Sequence, residues 1–306
     1  MRALLYDPDT PHGLQVGEAP QPPLGPSQAL IRVAATSLNF GEVAFLRDRQ
    51  VPGAIPGWDA SGVVVAAADD GSGPPPGTRV ATFGWSGGWA ELRAVDTDEV
   101  AVVPDGVDLA WAAAVPVAGV TALRAVRRLG SLVGRRVLIT GASGGVGRFA
   151  VQLAAGAGAH VVASVGSLER GEGLAALGAA EVVVGLDGIA EPVYGALDNV
   201  GGRTLADAYT LLEPGGCVQS VGMASLEPTT IDFEQARMRG GDTRIEAFAV
   251  GPRFGPDLAF LLGLMAAGQL DAQVGWRGPW EKAADAVAAL LGRQVRGKAV
   301  LEVSSR

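Results

Sequence analysis

The chain has 306 residues, a formal net charge of −8 and one cysteine, Cys217. This length predicts two domains, because single domains usually contain about 100 to 200 residues. The acidic balance opposes binding to nucleic acid or to anionic membranes, both of which need clustered Lys and Arg. A single cysteine excludes an intrachain disulfide and any zinc site built on several thiolates. Only two histidines are present besides, so we expect no metal.

The termini and apolar stretches indicate a soluble, cytoplasmic protein. The first residues, MRALLYDPD, include acidic residues and a proline and lack the apolar run of a signal peptide. The longest apolar stretch, residues 109–123, is interrupted by Pro116 and is too short to span a membrane.

The first third of the chain reads as a β domain. Turn sequences such as PQPPLGP and DGSGPPPG separate short β-like segments. The clearest segments are residues 29–35, 62–67, 79–83 and 100–103. This pattern predicts an antiparallel or barrel-like β domain.

From about residue 117, β-like apolar runs alternate with helical stretches that fill most of the gaps between them. Such alternation is typical of βαβ units, which build a parallel, doubly wound sheet. The predicted strands are residues 137–140, 161–164, 181–184, 196–200, 217–222 and 245–250.

The C-terminal segment predicts a helix over 256–267, a strand near Val274, a helix over 280–291 and a strand over 299–303. The last strand is short and alternating, and we expect it to rejoin the β domain. The predicted domains are therefore residues 1–116 with 256–306, and an inserted domain over 117–255.

The strongest motif, VLITGASGGVGRFAVQLA, reads as a strand, a Gly-rich turn and a helix. Its glycines allow a tight turn, close approach of a pyrophosphate and close packing of helix on strand. The N–H groups at the helix start would face the anion. A ligand-free turn is the alternative, and the strand–turn–helix context disfavours it. The candidate dinucleotide-binding residues are Gly141, Ser143, Gly144, Gly145, Val146 and Gly147.

The end of the second predicted strand favours NADPH over NADH. An NAD-selective site normally carries Asp or Glu there for the ribose 2′-OH, but this chain has Ser164, Gly166 and Ser167. Arg170 follows and can present a charged, planar fork to a 2′-phosphate. The alternatives are that Arg170 is solvated or that it pairs with Glu169.

Several motifs together resemble the medium-chain dehydrogenases/reductases, in particular the zinc-free quinone oxidoreductase and enoyl reductase branch. They are SLNFGEV (37–43), IPGWDASGVV (55–64), GGWAEL (87–92), PDGVDLAWAAAVPVAGVTA (104–122), GASGGVG (141–147), LDNVGG (197–202) and RGKAVLEV (296–303).

The resemblance implies an α/β protein with a GroES-like β domain for the substrate, a Rossmann domain for NADPH and a cleft between them. It also implies that a homodimer is common. Zinc-dependent relatives use Cys or His where this chain has Leu38, Asn39 and Phe40. This departure favours conjugate reduction over alcohol oxidation: a hydride goes to an activated C=C bond or a quinone, and hydrogen-bond donors stabilise the oxygen that gains charge.

The resemblance places Asn39 and Glu42 on the active-site segment. Asn39 could donate to the substrate oxygen or only to loop backbone, and Glu42 could relay protons or only bind backbone. A tyrosine of some relatives is Ala44 here. That loss keeps open an alternative function, an NADPH-binding redox sensor or scaffold without robust turnover.

Further cofactor contacts are expected at the carboxyl ends of the sheet strands, where such sheets bind ligands. Thr121 matches a family position near the nicotinamide, although a helix cap is its alternative role. The residues expected after or at the ends of the strands are Asn199, Val200, Gly222, Met223, Ala224, Phe248 and Val250.

Overall fold

The structure, a computed structural model, describes residues 1–239 and 241–303. The chain divides into two compact units. Unit 1 contains Met1–Val120 and the segment from Gly251 onward, and unit 2 is Thr121–Val250. The boundaries expected from the sequence lie four residues (120 − 116) and five residues (255 − 250) from these positions.

In the described part of the chain, the strands are β1 (Arg2–Tyr6), β2 (Leu14–Glu18), β3 (Gln28–Leu38), β4 (Asp59–Ala66), β5 (Arg79–Phe83), β6 (Leu92–Asp96), β7 (Val100–Val102), β8 (Arg136–Ile139), β9 (His160–Val165), β10 (Ala179–Val184), β11 (Val193–Asp198), β12 (Leu212–Ser220), β13 (Arg244–Ala247), β14 (Val274–Pro279) and β15 (Lys298–Glu302). The helices are α1 (Phe40–Ala44), α2 (Leu46–Arg49), α3 (Leu109–Ala113), α4 (Pro116–Arg128), α5 (Gly145–Gly156), α6 (Gly202–Thr210), α7 (Phe233–Arg239), α8 (Gly255–Ala266) and α9 (Ala283–Leu291). None of these helices is long and apolar enough to cross a membrane.

Unit 1 is built on a seven-stranded sheet in the order β14-β15-β3-β4-β5-β7, with β6 also paired to β3. All neighbours are antiparallel except β14 and β15, which run parallel. The last strand, β15, thus lies between β14 and the N-terminal strand β3. Trp89 and Trp280 are fully buried in the core beside this sheet.

Unit 2 is built on a parallel six-stranded sheet in the order β10-β9-β8-β11-β12-β13. In the order of the chain this is 3-2-1-4-5-6, the arrangement of the doubly wound dinucleotide-binding fold. The parallel sheet here and the antiparallel sheet of unit 1 confirm the predicted α/β fold class.

Two details of unit 2 differ from the expectation. Between β9 and β10 the chain forms a single turn of 3-10 helix, Glu169–Gly171, and further turns. Gly173 and Gly178 have φ of +80° and +102°, a conformation that no α-helix uses. The strands β11, β12 and β13 also end two or three residues earlier than predicted. The candidate cofactor residues therefore lie in loops, where backbone N–H groups are not used by a sheet.

Candidate functional site

The Gly-rich turn of unit 2 joins β8 to the twelve-residue helix α5, which begins at Gly145. Gly141 has φ +57°, in the left-handed region that favours glycine. A Cβ atom on Gly147 would lie 2.4 Å from the Gly141 carbonyl oxygen and 2.6 Å from Ala142 Cα. Only glycine lets the helix pack this closely on the turn. The first N–H groups of α5 therefore follow directly on a compact glycine turn, the arrangement that binds phosphate groups in proteins.

We expect Gly147→Ala to lower the free energy of unfolding by about 1 to 3 kcal/mol, because the new methyl group meets backbone atoms. Gly156→Ala, at the last residue of the same helix, is the matched control, since a Cβ atom there has no neighbour within 4 Å. It should be neutral or slightly stabilising. Urea unfolding followed by circular dichroism measures both variants, and equal stabilities would contradict the role assigned to Gly147.

Ser143 and Arg170 lie in contact although they are far apart in the chain. The Nε–H of Arg170 donates to Ser143 Oγ at 3.1 Å, and the backbone N–H of Arg170 donates to Ser167 Oγ at 3.4 Å. Gly166 is exposed beside them. The hydroxyl of Ser164 is buried and donates to a backbone carbonyl at 2.9 Å, so that proton is already engaged. The structure thus brings the guanidinium group of Arg170 to the Gly-rich turn.

Asp198, at the end of β11, ties two loops together and was not expected from the sequence. Its Oδ1 accepts the Thr140 hydroxyl at 2.6 Å, and its Oδ2 accepts the Gly201 N–H at 2.7 Å. The Asn199 amide donates to the Thr140 carbonyl at 2.8 Å, and Val200 follows in the same loop. Complete burial raises the pKa of the Asp198 carboxyl. The carboxyl group fixes the loops after β8 and β11 relative to one another.

The loop after β12 passes close to the loop after β11. A Cβ atom on Gly222 would lie 2.7 Å from the Asn199 carbonyl oxygen, and the Ala224 N–H donates to that oxygen at 3.3 Å. Met223, between them, is half exposed. These residues share the carboxyl edge of the sheet with the Gly-rich turn, and their contact with a cofactor stays a prediction.

Thr121 is the sixth residue of α4 and is buried, so it is not a helix cap. Phe248 and Val250 follow β13 and contact the same helix. The Arg128 guanidinium lies 4.5 Å from the centre of the Phe248 ring, and Arg124 Nη1 donates to the Val250 carbonyl at 2.5 Å. The end of β13 is thereby held against α4.

The strand register of unit 1 brings polar residues from distant parts of the chain together. Strands β3 and β15 pair with Leu38 opposite Ala299, so Lys298, at the start of β15, meets Asn39, directly after β3. Asp59 opens the neighbouring strand β4 on the other side of β3. The three polar side chains therefore meet at one end of the sheet.

Asn39, Glu42, Asp59 and Lys298 form a buried group that we call the Asp59 cluster. Asn39 Nδ2 donates to Glu42 Oε2 at 2.7 Å and to Asp59 Oδ2 at 2.9 Å. Lys298 Nζ donates to Asn39 Oδ1 at 2.5 Å and to Asp59 Oδ2 at 3.3 Å. None of the four residues is more than 8% exposed. The cluster is a connected network of charge-assisted hydrogen bonds shielded from water.

Glu42 is the member of the cluster whose protonation is most altered. Its Oε2 also accepts the backbone N–H of Asn39 at 3.1 Å, and its Oε1 accepts the N–H of Trp58 at 2.7 Å. Burial, together with the negative charge of Asp59, raises the pKa of Glu42 to about 8. Arg93, fully buried on β6, is a further nearby cation, and burial lowers its pKa to about 10. The Glu42 carboxyl therefore holds a proton at neutral pH.

The geometry corrects the role expected of Asn39. A side-chain amide carries two hydrogens, and those of Asn39 are given to Glu42 and Asp59. No amide hydrogen remains for a substrate oxygen in this arrangement, so Asn39 instead orients the two carboxyl groups.

Sequence reasoning also missed Asp59 and Lys298 as site residues. The available signals were an aspartate at the start of an apolar strand and one of only two lysines, placed just before the last strand.

Among the residues that the structure describes, no three His, Cys, Asp or Glu side chains are grouped so that they could hold a metal ion.

Two family models match the chain. The alcohol dehydrogenase GroES-like domain matches residues 25–105, and the zinc-binding dehydrogenase model matches residues 177–301. Acrylyl-CoA reductase AcuI of Ruegeria pomeroyi is 35% identical over 201 residues, which cover 58% of this chain and 60% of that protein. The matches span 60% or less of the first three curated relatives.

Solved structures match over nearly the whole chain. The quinone oxidoreductase from Coxiella burnetii has a TM-score of 0.85 and 26% identity, and the match covers 99% of both chains. The Escherichia coli quinone oxidoreductase, solved in complex with NADPH, has a TM-score of 0.88 and 21% identity, over 99% of this chain and 100% of that one. Together with the Rossmann sheet order and the Gly-rich turn, these matches show that the chain belongs to the medium-chain dehydrogenase/reductase superfamily, in its zinc-free quinone oxidoreductase and enoyl reductase branch.

Proposed function

We propose that this protein is a zinc-independent reductase that uses NADPH to reduce an activated C=C bond, as in an enone or enoyl thioester, or a quinone. The contact between Arg170 and Ser143 carries this proposal. It brings a permanently charged guanidinium to the Gly-rich turn from the segment after β9, where an NAD-selective site would hold a carboxylate. The acrylyl-CoA reductase and the quinone oxidoreductases among the relatives support the two substrate classes.

Unit 2 supplies the residues that would hold the cofactor. The N–H groups at the start of α5 suit the pyrophosphate, and Arg170 suits the 2′-phosphate. Bound NADPH would supply a hydride. The other proposed contacts are Thr121, Ser143, Ser164, Gly166, Ser167, Asn199, Val200, Gly222, Met223, Ala224, Phe248 and Val250.

Unit 1 supplies the proton that this reduction needs. When hydride adds to the β-carbon, the electron pair of the C=C bond moves toward the carbonyl oxygen, and the α-carbon must then gain a proton. Glu42 accepts only one hydrogen bond at Oε1, so the second lone pair of this oxygen can carry the proton. A carboxyl group with a pKa near 8 is poised to give up a proton at neutral pH. The resulting carboxylate regains its proton from solvent.

An aromatic pair beside Glu42 favours a planar, conjugated substrate. The rings of Trp58 and Trp85 are 5.4 Å apart in an edge-to-face arrangement, and Trp58 donates its backbone N–H to Glu42. Trp85 is 62% exposed, an unusual state for so large an apolar side chain. Flat, apolar substrates pack well on such rings.

The direct test is an absorbance assay of NADPH oxidation with panels of enones, enoyl thioesters and quinones. Turnover with one panel supports the proposal and names the substrate class. NADPH binding without turnover on any panel would instead favour the redox-sensing or scaffold function.

Arg170→Ala should weaken NADPH binding by about 1.5 to 3 kcal/mol, because a charge-assisted hydrogen bond to the 2′-phosphate is lost. NADH has no 2′-phosphate, so its affinity should change little. Arg135→Ala is the control, since Arg135 is half exposed and precedes the opposite, amino-terminal end of β8. Fluorescence titration measures both cofactors. An equal loss for NADPH and NADH would contradict the assignment of Arg170.

A further inference from the structure

Lys298 is the buried one of the two lysines in the chain. Its side chain is 3% exposed, and its three ammonium hydrogens have three acceptors: the Leu38 carbonyl at 3.1 Å, Asn39 Oδ1 at 2.5 Å and Asp59 Oδ2 at 3.3 Å. Burying an ammonium group is costly unless each hydrogen is used and a counter-charge is close. Both conditions are met here.

The partners of Lys298 fix the orientation of the Asn39 amide. If the amide turned over, its NH₂ group would face the ammonium of Lys298, and its oxygen would face the carboxyl oxygens of Glu42 and Asp59. Both contacts would then pair like with like, since Lys298 only donates and a carboxylate only accepts. Lys298 therefore holds the amide so that its two hydrogens meet Glu42 and Asp59.

Asp59 extends this arrangement to α4. Its Oδ2 accepts hydrogen bonds from Ser37, Asn39 and Lys298, while its Oδ1 accepts the Val117 N–H at 2.9 Å. Val117 is the second residue of α4, where an orphan N–H needs an acceptor. With Lys298 as counter-charge, a carboxylate can stay buried in this position.

Resting on the proposed role of Glu42 as proton donor, we propose that Lys298 is a positioning residue: its ammonium group fixes the Asn39 amide and the Asp59 carboxylate, and these two side chains set the environment of the Glu42 carboxyl. Lys298 itself does not touch the reacting atoms. The charged groups that face Glu42 from the neighbouring strands are Asp59 on β4, Arg93 on β6 and Lys298 on β15.

The test uses the full chain with Lys298→Met, which keeps the length of the side chain and removes its charge. Lys298→Gln, which can still donate, serves if the Met variant does not fold. Lys298→Arg keeps the charge, and Lys282→Met removes the other, exposed lysine of unit 1 as a matched control. Difference infrared spectroscopy follows the carboxylic acid band of Glu42 through a pH titration, and the band is assigned by its loss in Glu42→Gln.

We expect the neutral variants to move the Glu42 midpoint upward by about one pH unit, because a cation that favours the carboxylate is gone. In the assay of NADPH oxidation the pH profile of kcat should move the same way, with kcat at high pH changed up to about tenfold per pH unit and NADPH affinity within about twofold. Lys298→Arg should lie closer to the wild type, and Lys282→Met should match it.

An unchanged Glu42 midpoint in a folded neutral variant would overturn the proposal. A purely structural role would lower the active fraction without moving either pH profile. If the wild type turns over no substrate, the proposed function fails, but the infrared midpoint still decides the role of Lys298.

Discussion

Asp59→Ala should lower the free energy of unfolding of unit 1 by about 3 to 5 kcal/mol, because it leaves the buried Lys298 ammonium without its counter-charge. The change also removes the acceptor of Ser37, Asn39 and the Val117 N–H. A typical domain is stable by about 5 to 15 kcal/mol, so this variant should unfold at much lower urea concentration. All six tryptophans lie in unit 1, and tryptophan fluorescence therefore reports its unfolding selectively.

Two comparisons isolate the charge effect at Asp59. Asp98→Ala removes an exposed aspartate of unit 1 whose ion-pair distance to Arg253 is 3.7 Å, and it should cost at most about 1 kcal/mol. The double variant Asp59→Leu with Lys298→Met removes both buried charges. It should lose less stability than the sum of the two single changes, since no unpaired charge remains. Additive losses, or a cost for Asp59→Ala no greater than that of Asp98→Ala, would show that the pair is not coupled.

Local patterns were sufficient to predict the cofactor side of the protein. The strand, the Gly-rich turn and the helix around Gly141–Gly147 are contiguous in the chain, so their geometry follows from backbone rules for glycine and for helix starts. The rule that ligands bind at the carboxyl ends of parallel strands then selected the right loops. Asp198 escaped notice because its role depends on Thr140, 58 residues away in the chain.

The Asp59 cluster could not be predicted in the same way. Lys298 and Asn39 are 259 residues apart, and only the register between β3 and β15 brings them together. Alternation of apolar residues indicates which face of a strand is buried, but not which residue of a distant strand lies opposite. The hydrogens available on Asn39 likewise depend on these neighbours, which is why its role changed from substrate donor to positioning residue.

Glu42→Gln should lower turnover by about 10²- to 10⁴-fold, the usual contribution of a positioned acid. NADPH affinity should stay the same, because the proposed cofactor contacts lie in unit 2. Glu42→Asp keeps a carboxyl group and should retain part of the activity. Glu18→Gln, exposed on β2, is the matched control. Turnover of Glu42→Gln within about threefold of the wild type would exclude Glu42 as the proton donor.

The pH dependence of stability tests Glu42 without any substrate. Its pKa is about 8 in the folded protein against 4.5 for an ordinary glutamate, so between these values the folded state keeps a proton that the unfolded chain has lost. The contribution of Glu42 to the free energy of unfolding therefore falls as pH rises through this window, by up to about 1.4 kcal/mol per pH unit, and levels off above pH 8. Glu42→Gln cannot titrate and should lack this decline. Parallel curves for the wild type and Glu42→Gln between about pH 5 and 8 would show that the folded protein does not hold this proton.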